Sequence, residues 1–168
     1  MDFFDKIDSF RGAYYFLSNF YLIKILYGGI EFPSTENAYQ AMKSFDTDYR
    51  IKCSICGPGV SKRLGKTVEL REDWEDANII IMYDLLKQKF QNPDLQKKLL
   101  STGRLELIEG NNWHDNFWGD CHCDKCKNIV GQNRLGKLLM KVRSEIFYLK
   151  IIERDEINVS FNSESNKS

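Results

Sequence analysis

The sequence predicts an α+β fold: a mainly helical single domain with a small antiparallel β-hairpin portion. Three observations carry that expectation. The residues Leu135, Leu138, Leu139, Val142, Ile146 and Leu149 fall on one stripe at helical spacing. The pair Gly28-Gly29 separates two apolar runs, a hairpin signal because glycine tolerates the positive φ of tight turns. The chain's 168 residues are 42% hydrophobic and 13% aromatic, enough for one core without staples and too few to favour two. The domain is expected over residues 1–159, with the polar run 160–168 as a disordered C-terminal tail.

Taken in order, Tyr21 to Tyr27 and Ile30 to Phe32 are the hairpin strands. Pro33-Ser34-Thr35-Glu36 then reads as a helix start, with capping hydroxyls and an acidic first turn, and that helix is expected to run to about Phe45. Residues 46–57 give no clear signal. Pro58 to Leu64 reads as a short helix stopped by Gly65. Asp73 is the expected cap of a longer helix carrying Trp74, Ala77, Ile81 and Leu85 on one face. Asn92-Pro93 restarts a helix through Leu100, with proline at its favoured first position. Leu105 to Glu109 reads as a strand, and the last helix opens near Arg134.

Charge narrows the function classes. Lys+Arg and Asp+Glu both total 24, so the net charge of zero argues against a dedicated non-specific nucleic-acid binder. Between Cys121 and Lys150, however, seven cations (Lys125, Lys127, Arg134, Lys137, Lys141, Arg143, Lys150) face two anions (Asp124, Glu145), which suits a phosphate-bearing ligand or simply a solvated helix face. No apolar run approaches the roughly 18 residues of a membrane span, and the first residues lack a signal peptide's basic and apolar regions. A soluble, cytoplasmic chain with no membrane partner is expected.

Four constellations could carry chemistry. In Trp113-His114-Asp115-Asn116-Phe117-Trp118-Gly119-Asp120, flat rings and carboxylates share one loop; such rings stack on flat ligands, and carboxylates stabilise developing positive charge. The plain alternative is a satellite hydrophobic cluster under a loop. On the helix from Ser34, Glu36 and Lys43 lie seven residues apart, about 10 Å along one side, with Tyr39 and Gln40 between them. That strip is either a solvent-facing stripe or a catalytic one. Gly131-Gln132-Asn133-Arg134-Leu135-Gly136-Lys137 opens the last helix, whose N–H groups and dipole could seat a phosphate, although glycines before helices often serve turns only. Finally, Cys121, Cys123 and Cys126 form C-x-C-x2-C, beside a separate Cys53/Cys56 pair. Five cysteines cannot all pair, and three close thiols could share a structural zinc with His122, His114 or Cys56 as the fourth ligand. Free cysteines are the alternative reading.

In this order the pieces resemble the NADAR family, YbiA-like N-glycosidases. The matching runs are Phe16-Leu17-Ser18-Asn19-Phe20, Pro33 to Lys43, Ser61-Lys62-Arg63-Leu64-Gly65, Leu70-Arg71-Glu72-Asp73-Trp74, Trp118-Gly119 and Gly131 to Met140, spanning about residues 10 to 145. The resemblance implies hydrolysis of the bond between ribose C1 and a base-like nitrogen. The substrate would be a phosphoribosylamino-pyrimidine intermediate of riboflavin synthesis or an ADP-ribosylated guanine, including one carried on nucleic acid. It implies Glu36, Lys43 and Asp115 as catalytic residues. Ser18, Asn19, Phe20, Tyr39, Gln40, Trp118, Gly119, Asn133 and Gly136 are then candidates for binding the phosphorylated ribosyl or ADP-ribosyl substrate. The chain departs from the family pattern at Asn37, where histidine is frequent, and in the Cys121–Cys126 segment, which resembles only some members.

A carboxylate from Glu36 or Asp115 could stabilise oxocarbenium-like charge on the ribose and activate water. Lys43 could instead add to C1 of an opened ribose as a neutral amine, or stay protonated as an ion-pair contact. Trp74, Trp113 or Trp118 could stack on the leaving base, while Arg11, Arg134 and Lys137 could hold phosphate oxygens. No nucleotide or redox cofactor is required, and a structural zinc is the one optional group. The rival class is a non-catalytic zinc-knuckle module that binds nucleic acid or a protein.

Overall fold

A computed structural model describes residues 6–165, with side chains described through Glu156. Its elements begin with β1 (Lys6–Ile7) and a 3-10 helix (Gly12–Leu17), followed by the strands β2 (Leu22–Tyr27) and β3 (Ile30–Ser34). Three short helices come next, α1 (Thr35–Ala41), α2 (Thr47–Ser54) and α3 (Pro58–Leu64), and then two longer ones, α4 (Trp74–Lys89) and α5 (Pro93–Ser101). The short strands β4 (Glu106–Leu107), β5 (Gly110–Asn111) and β6 (Asp120–Cys121) lead to α6 (Arg134–Ser165). Helix dominates and sheet is sparse, as an α+β fold requires.

The hairpin is the expected one. Gly28 and Gly29 take φ of +57° and +79°, the left-handed pair that lets β2 and β3 twist together, and Ile25 sits opposite Phe32. Both side chains are buried, which fixes the register. The strand expected over Leu105–Glu109 is shortened to β4, which runs parallel to β1, a partner no sequence signal gave, and β5 runs parallel to β6 where no strand was expected. Each is only two residues long, too short for alternation to register.

Local chemistry sets the helix ends, with some corrections. Ser34 caps α1, its hydroxyl accepting from the Asn37 N–H at 3.1 Å. Here α1 stops at Ala41 instead of reaching Phe45, because Lys43 and Ser44 close back on Gln40 and Ala41 in tighter turns and Asp46 starts α2 by capping the Tyr49 N–H at 2.8 Å. Asn92 caps α5 through Asp94 and Leu95 N–H, both at 3.1 Å, with Pro93 in the first turn. Asp73 holds the position before α4 without capping it, since its carboxylate is drawn into a two-pronged pair with Arg71. The apolar stripe of α6 is buried at Leu135, Leu139 and Val142, but Leu149 is 59% exposed, past the edge of the core. The backbone of α6 continues as helix through Ser165, beyond Ser160, where a disordered tail is expected; residues 166–168 of that tail lie outside the described part.

The core joins Leu17, Ile25 and Phe32 to Met82, Leu85 and Leu86 of α4, to Phe90 just after it, and to Leu99, Leu107 and Leu139. Lys89 is a cation buried within it. Lys89 donates to the Ser18 carbonyl at 2.7 Å and lies 5.6 Å from the Tyr21 ring; burial pulls its amine down to about 7. It thereby pins the chain at Ser18, one of the residues that line the cavity. Among the described residues no helix is long and apolar enough to cross a membrane.

Candidate active site

All seven residues of α1 are buried, so the polar strip is not a solvent face. Glu36, Tyr39, Gln40 and Lys43 line a cavity of about 1000 Å³, at the upper end of ligand-pocket volumes. Lys43 reaches it from the turn just after α1 rather than from a helical position. Trp113, Asp115 and Trp118 enter from the loop between β5 and β6. Acid, amine and indoles thus share one space.

Glu36 is the most deeply placed charge. Its backbone N–H donates to the Asn19 carbonyl at 2.9 Å, and the Gln40 amide donates to Oε1 at 2.8 Å. Burial pushes its carboxyl above the usual range; the charges of Lys62 and Lys43 and the Gln40 bond oppose that, while Asp115 adds to it. Burial also pulls the Lys43 amine down, against the attraction of Glu36 and with the repulsion of Lys62. Its Nζ donates to the Gly65 carbonyl at 3.0 Å. A Cβ at Gly65 would come within 1.8 Å of Gln40 Oε1 and 3.4 Å of Lys43 Nζ, so glycine here is a matter of close approach. Gly65→Ala is expected to push Gln40 off Glu36, costing about 1–3 kcal/mol of stability by overpacking and tenfold or more in turnover on the order expected for a misplaced catalytic group. Unchanged kinetics in that variant would sever the Gly65–Gln40–Glu36 link.

Asp115 is held by its own loop. Its Oδ1 accepts from Phe117 N–H at 3.2 Å and Trp118 N–H at 2.9 Å, and its carbonyl accepts from Asn111 at 2.7 Å. One wall of the cavity is aromatic: Tyr39 lies 5.2 Å from Trp74 and 5.3 Å from Trp118, edge to face in the second case. The rim is cationic. Trp113, 47% exposed, has Arg11 at 5.9 Å and Lys62 at 5.8 Å from its ring, and Lys62 also lies 5.6 Å from Phe20.

Sequence reading missed several lining residues. Glu109 is the most consequential: burial and the charge of Asp115 push its carboxyl up to about 7, Lys62 opposing, and its Oε2 has no hydrogen-bond partner among the described residues. It ends the strand expected over Leu105–Glu109 but lies beyond the observed β4, and nothing in the strand reading marked it as a cavity residue. Lys62 stands inside a run already quoted for the resemblance, and Asn78 lies one turn after Trp74 on α4.

The chain matches the NADAR domain model over residues 3–147. It is a member of the NADAR family. It is 35% identical over 133 residues to the N-glycosidase YbiA of Escherichia coli strain K12, a match covering 77% of this chain and 79% of that protein. It is 36% identical over 135 residues to the riboflavin biosynthesis protein VVA0006 of Vibrio vulnificus, 78% of this chain but 35% of that protein. A maize chloroplastic riboflavin biosynthesis protein, PYRR, is 36% identical over 129 residues, 20% of its length. The chain therefore spans only a minor part of these two larger relatives. The NMR structure of Escherichia coli YbiA superimposes with a TM-score of 0.75 at 32% identity, covering 89% of this chain and 90% of that one.

Within this NADAR domain the expected site residues divide. Arg11, Ser18, Asn19, Phe20, Glu36, Tyr39, Gln40, Lys43, Trp74, Trp113, Asp115 and Trp118 all line the cavity. Gly119, Asn133, Arg134, Gly136 and Lys137 do not. The expected phosphate seat at the start of α6 is filled from within: the N–H groups of Asn133, Arg134 and Leu135 donate to the carbonyls of Gly119, Phe117 and Trp118 at 3.1, 3.4 and 3.0 Å. With the first two N–H groups of the helix spent on the loop and Lys137 N–H closing on the Asn133 carbonyl, that helix end is largely occupied from within the chain. Asn133 instead ties α6 to β4, donating to the Leu107 carbonyl at 2.8 Å and accepting from Glu109 N–H at 3.0 Å. Gly136 lets Leu107 approach, Gly119 lets Glu109 approach, Arg134 stacks on Phe117 at 4.3 Å, and Lys137 is exposed. The family departure at Asn37 also falls away from the cavity: its amide donates to the Cys53 and Cys56 carbonyls at 2.7 and 2.8 Å, bracing α1 against α2.

Cys121, Cys123 and Cys126 converge with His114, their ligand atoms all within 4.8 Å of one another. His122 and Cys56, the other candidates for a fourth ligand, are not in that group.

Proposed function

We propose that this chain is an N-glycosidase that hydrolyses the bond between ribose C1 and a base-like nitrogen of a phosphoribosylamino-pyrimidine. The observation that carries the proposal is a buried glutamate, oriented by Gln40, sharing one cavity with an amine, a second loop-held carboxylate and an aromatic wall. A family membership alone would not assign these roles; the geometry supports them independently.

In this reading the base stacks against the Trp74–Tyr39–Trp118 wall and the ribose C1 faces Glu36. As the C–N bond lengthens, positive charge grows on the sugar, and Glu36 stabilises it and takes the proton of an attacking water. Asp115, with one oxygen fixed by two N–H groups, adds a second negative charge without moving. Glu109, whose carboxyl burial pushes up to about 7, is suited to protonate the departing nitrogen. Arg11, Lys62 and Lys66 at the mouth replace the helix end as the phosphate contacts. Lys125 and Lys127, which would flank a nucleic-acid groove, are not among the lining residues, and this favours a small metabolite. The printed names of the Vibrio and maize relatives point the same way. One feature supports a second reading, ADP-ribosylated guanine: the exposed Trp113 ring with two cations beside it could stack an adenine and hold a diphosphate.

Incubation of the chain with each substrate, following free base, tests the proposal; release from neither would overturn it. A pH profile tests the acid. Turnover is expected to fall as pH rises through about 7, where Glu109 loses its proton, and Glu109→Gln should be slow across the range with that limb missing. The same group acts on stability. Its folded pKa is raised from 4.5 to about 7, so its contribution is fully present below 4.5 and lost as pH rises through about 7. Lys89, depressed to about 7, acts only above that pH, where it makes stability rise again. Glu109→Gln should therefore flatten the thermal stability profile between pH 5 and 7, by about 2 kcal/mol for a shift of this size. A parallel profile in the variant would remove Glu109 as the titrating group.

A further inference from the structure

We infer that His114, Cys121, Cys123 and Cys126 bind a zinc ion that holds the loop carrying Trp113, Asp115 and Trp118 against the cavity. The inference concerns this chain's own side chains and does not depend on which substrate is cleaved.

The donor set decides the metal class. Three sulfurs and one imidazole nitrogen, with no carboxylate among them, form the closed Cys3His set of structural zinc sites; a hard cation such as magnesium or calcium would need oxygen. The distances fit. His114 Nδ1 lies 3.2 Å from Cys123 Sγ and 3.3 Å from Cys126 Sγ. Zinc bonds of about 2.3 Å to sulfur and 2.0 Å to nitrogen at tetrahedral angles put such atoms about 3.5 Å apart, so only small adjustments are required. Backbone and side-chain hydrogen bonds around the cluster already orient its ligand atoms. His114 N–H donates to Cys121 Sγ at 3.3 Å, a bond that favours thiolate, and Cys121 N–H donates to Asn116 Oδ1 at 2.9 Å. The Cys126 N–H closes a turn on the Cys123 carbonyl at 2.9 Å, which brings those two thiols to one side.

Binding takes three thiols to thiolates, releasing three protons to solvent, and changes no oxidation state. Its effect on the cavity follows from position. His114 lies between Trp113 and Asp115 in sequence and has φ of +67°, a backbone state that ordinary residues occupy at a cost. A metal bond to its ring offsets that cost. The start of α6 already holds the far half of the loop, residues 116–119, while the near half rests on the two-residue β5–β6 ladder and on Asn111, whose side chain accepts from Trp113 N–H and Asp115 N–H, both at 3.2 Å. A metal tying residue 114 to residues 121–126 would close the loop on itself and fix Asp115 where it faces Glu36.

Metal analysis of the purified full chain should find about one zinc per chain. His114→Ala and Cys123→Ser should each lose most of it, while Cys53→Ser, which removes a thiol outside the cluster, should keep it. Because a substituted chain can fail to fold, the wild-type chain provides a separate readout. After chelation under reducing conditions, added Co2+ should give the intense near-ultraviolet thiolate-to-metal band and visible bands of a tetrahedral thiolate site, and zinc should bleach them. Chelation should also lower the melting temperature, and zinc should restore it. A metal-free wild-type chain that gives no cobalt thiolate bands would overturn the inference, and so would zinc retained equally by all three variants.

Discussion

Glu36→Gln is expected to reduce turnover about 10³-fold while leaving the chain folded and equally or more stable. The size follows from the loss of general-base and charge-stabilising action at one atom pair. The stability follows from burial: glutamine has the same shape, can still accept from the Gln40 amide, and removes an ionisable group from a place where burial disfavours its charge. Substrate KM should change little, because the carboxylate acts on charge that appears only as the bond breaks. Kinetics with either candidate substrate and a melting curve check both halves. Wild-type turnover in this variant would remove Glu36 from the reaction; a large drop in melting temperature would make it a structural residue instead.

Lys43 is expected to be the second large effect, with Lys43→Ala lowering kcat/KM by about 10²-fold or more. Burial already pulls its amine down, which both readings use: a less protonated amine is a better nucleophile toward an opened ribose, and a desolvated ammonium is a stronger contact for an anion. Lys43→Arg separates the two. A guanidinium preserves charge but cannot form an imine, so retention of about a tenth of the activity on the order of a misfitted ion pair would assign the contact role. Complete loss, together with a cyanoborohydride-trapped adduct on Lys43 in the wild-type chain, would assign the covalent one. Full activity in Lys43→Ala would dismiss both.

These two residues also show how far sequence reading reached. The hairpin, the caps at Ser34 and Asn92 and the stripe of α6 were legible because each rests on neighbours in the chain: a turn residue, a side chain reaching its own backbone, a repeat of 3.6. Glu36, Tyr39 and Gln40 were legible as one strip for the same reason. The strip's burial was not, since nothing in its spacing says that the hairpin, α3 and α4 will close over every face of α1. Lys43 was placed on a helix that ends before it, because the chain turns at Met42 and a second helix, α2, begins at Thr47 with Asp46 as its cap. The phosphate seat failed on a subtler point. The first N–H groups of α6 were available by every local rule, and the carbonyls that took them came from residues 117–119.

The amino-acid sequence by itself determined the helical α+β class, the hairpin turn, the polar strip of α1, the indole-bearing loop and the cysteine spacing, since each is a matter of periodicity or short-range hydrogen bonding. Only the tertiary structure decided which of these share a space. It brought the loop carboxylate to the strip, added Glu109 from beyond the end of β4 and Lys62 from α3, gathered His114 rather than His122 with the thiols, and lined the cavity with Arg11, Lys62 and Lys66 while leaving Arg134 and Lys137 outside it. The physical reason is that burial, charge coupling and ligand convergence act between residues distant along the chain, where packing of the whole core sets their separation.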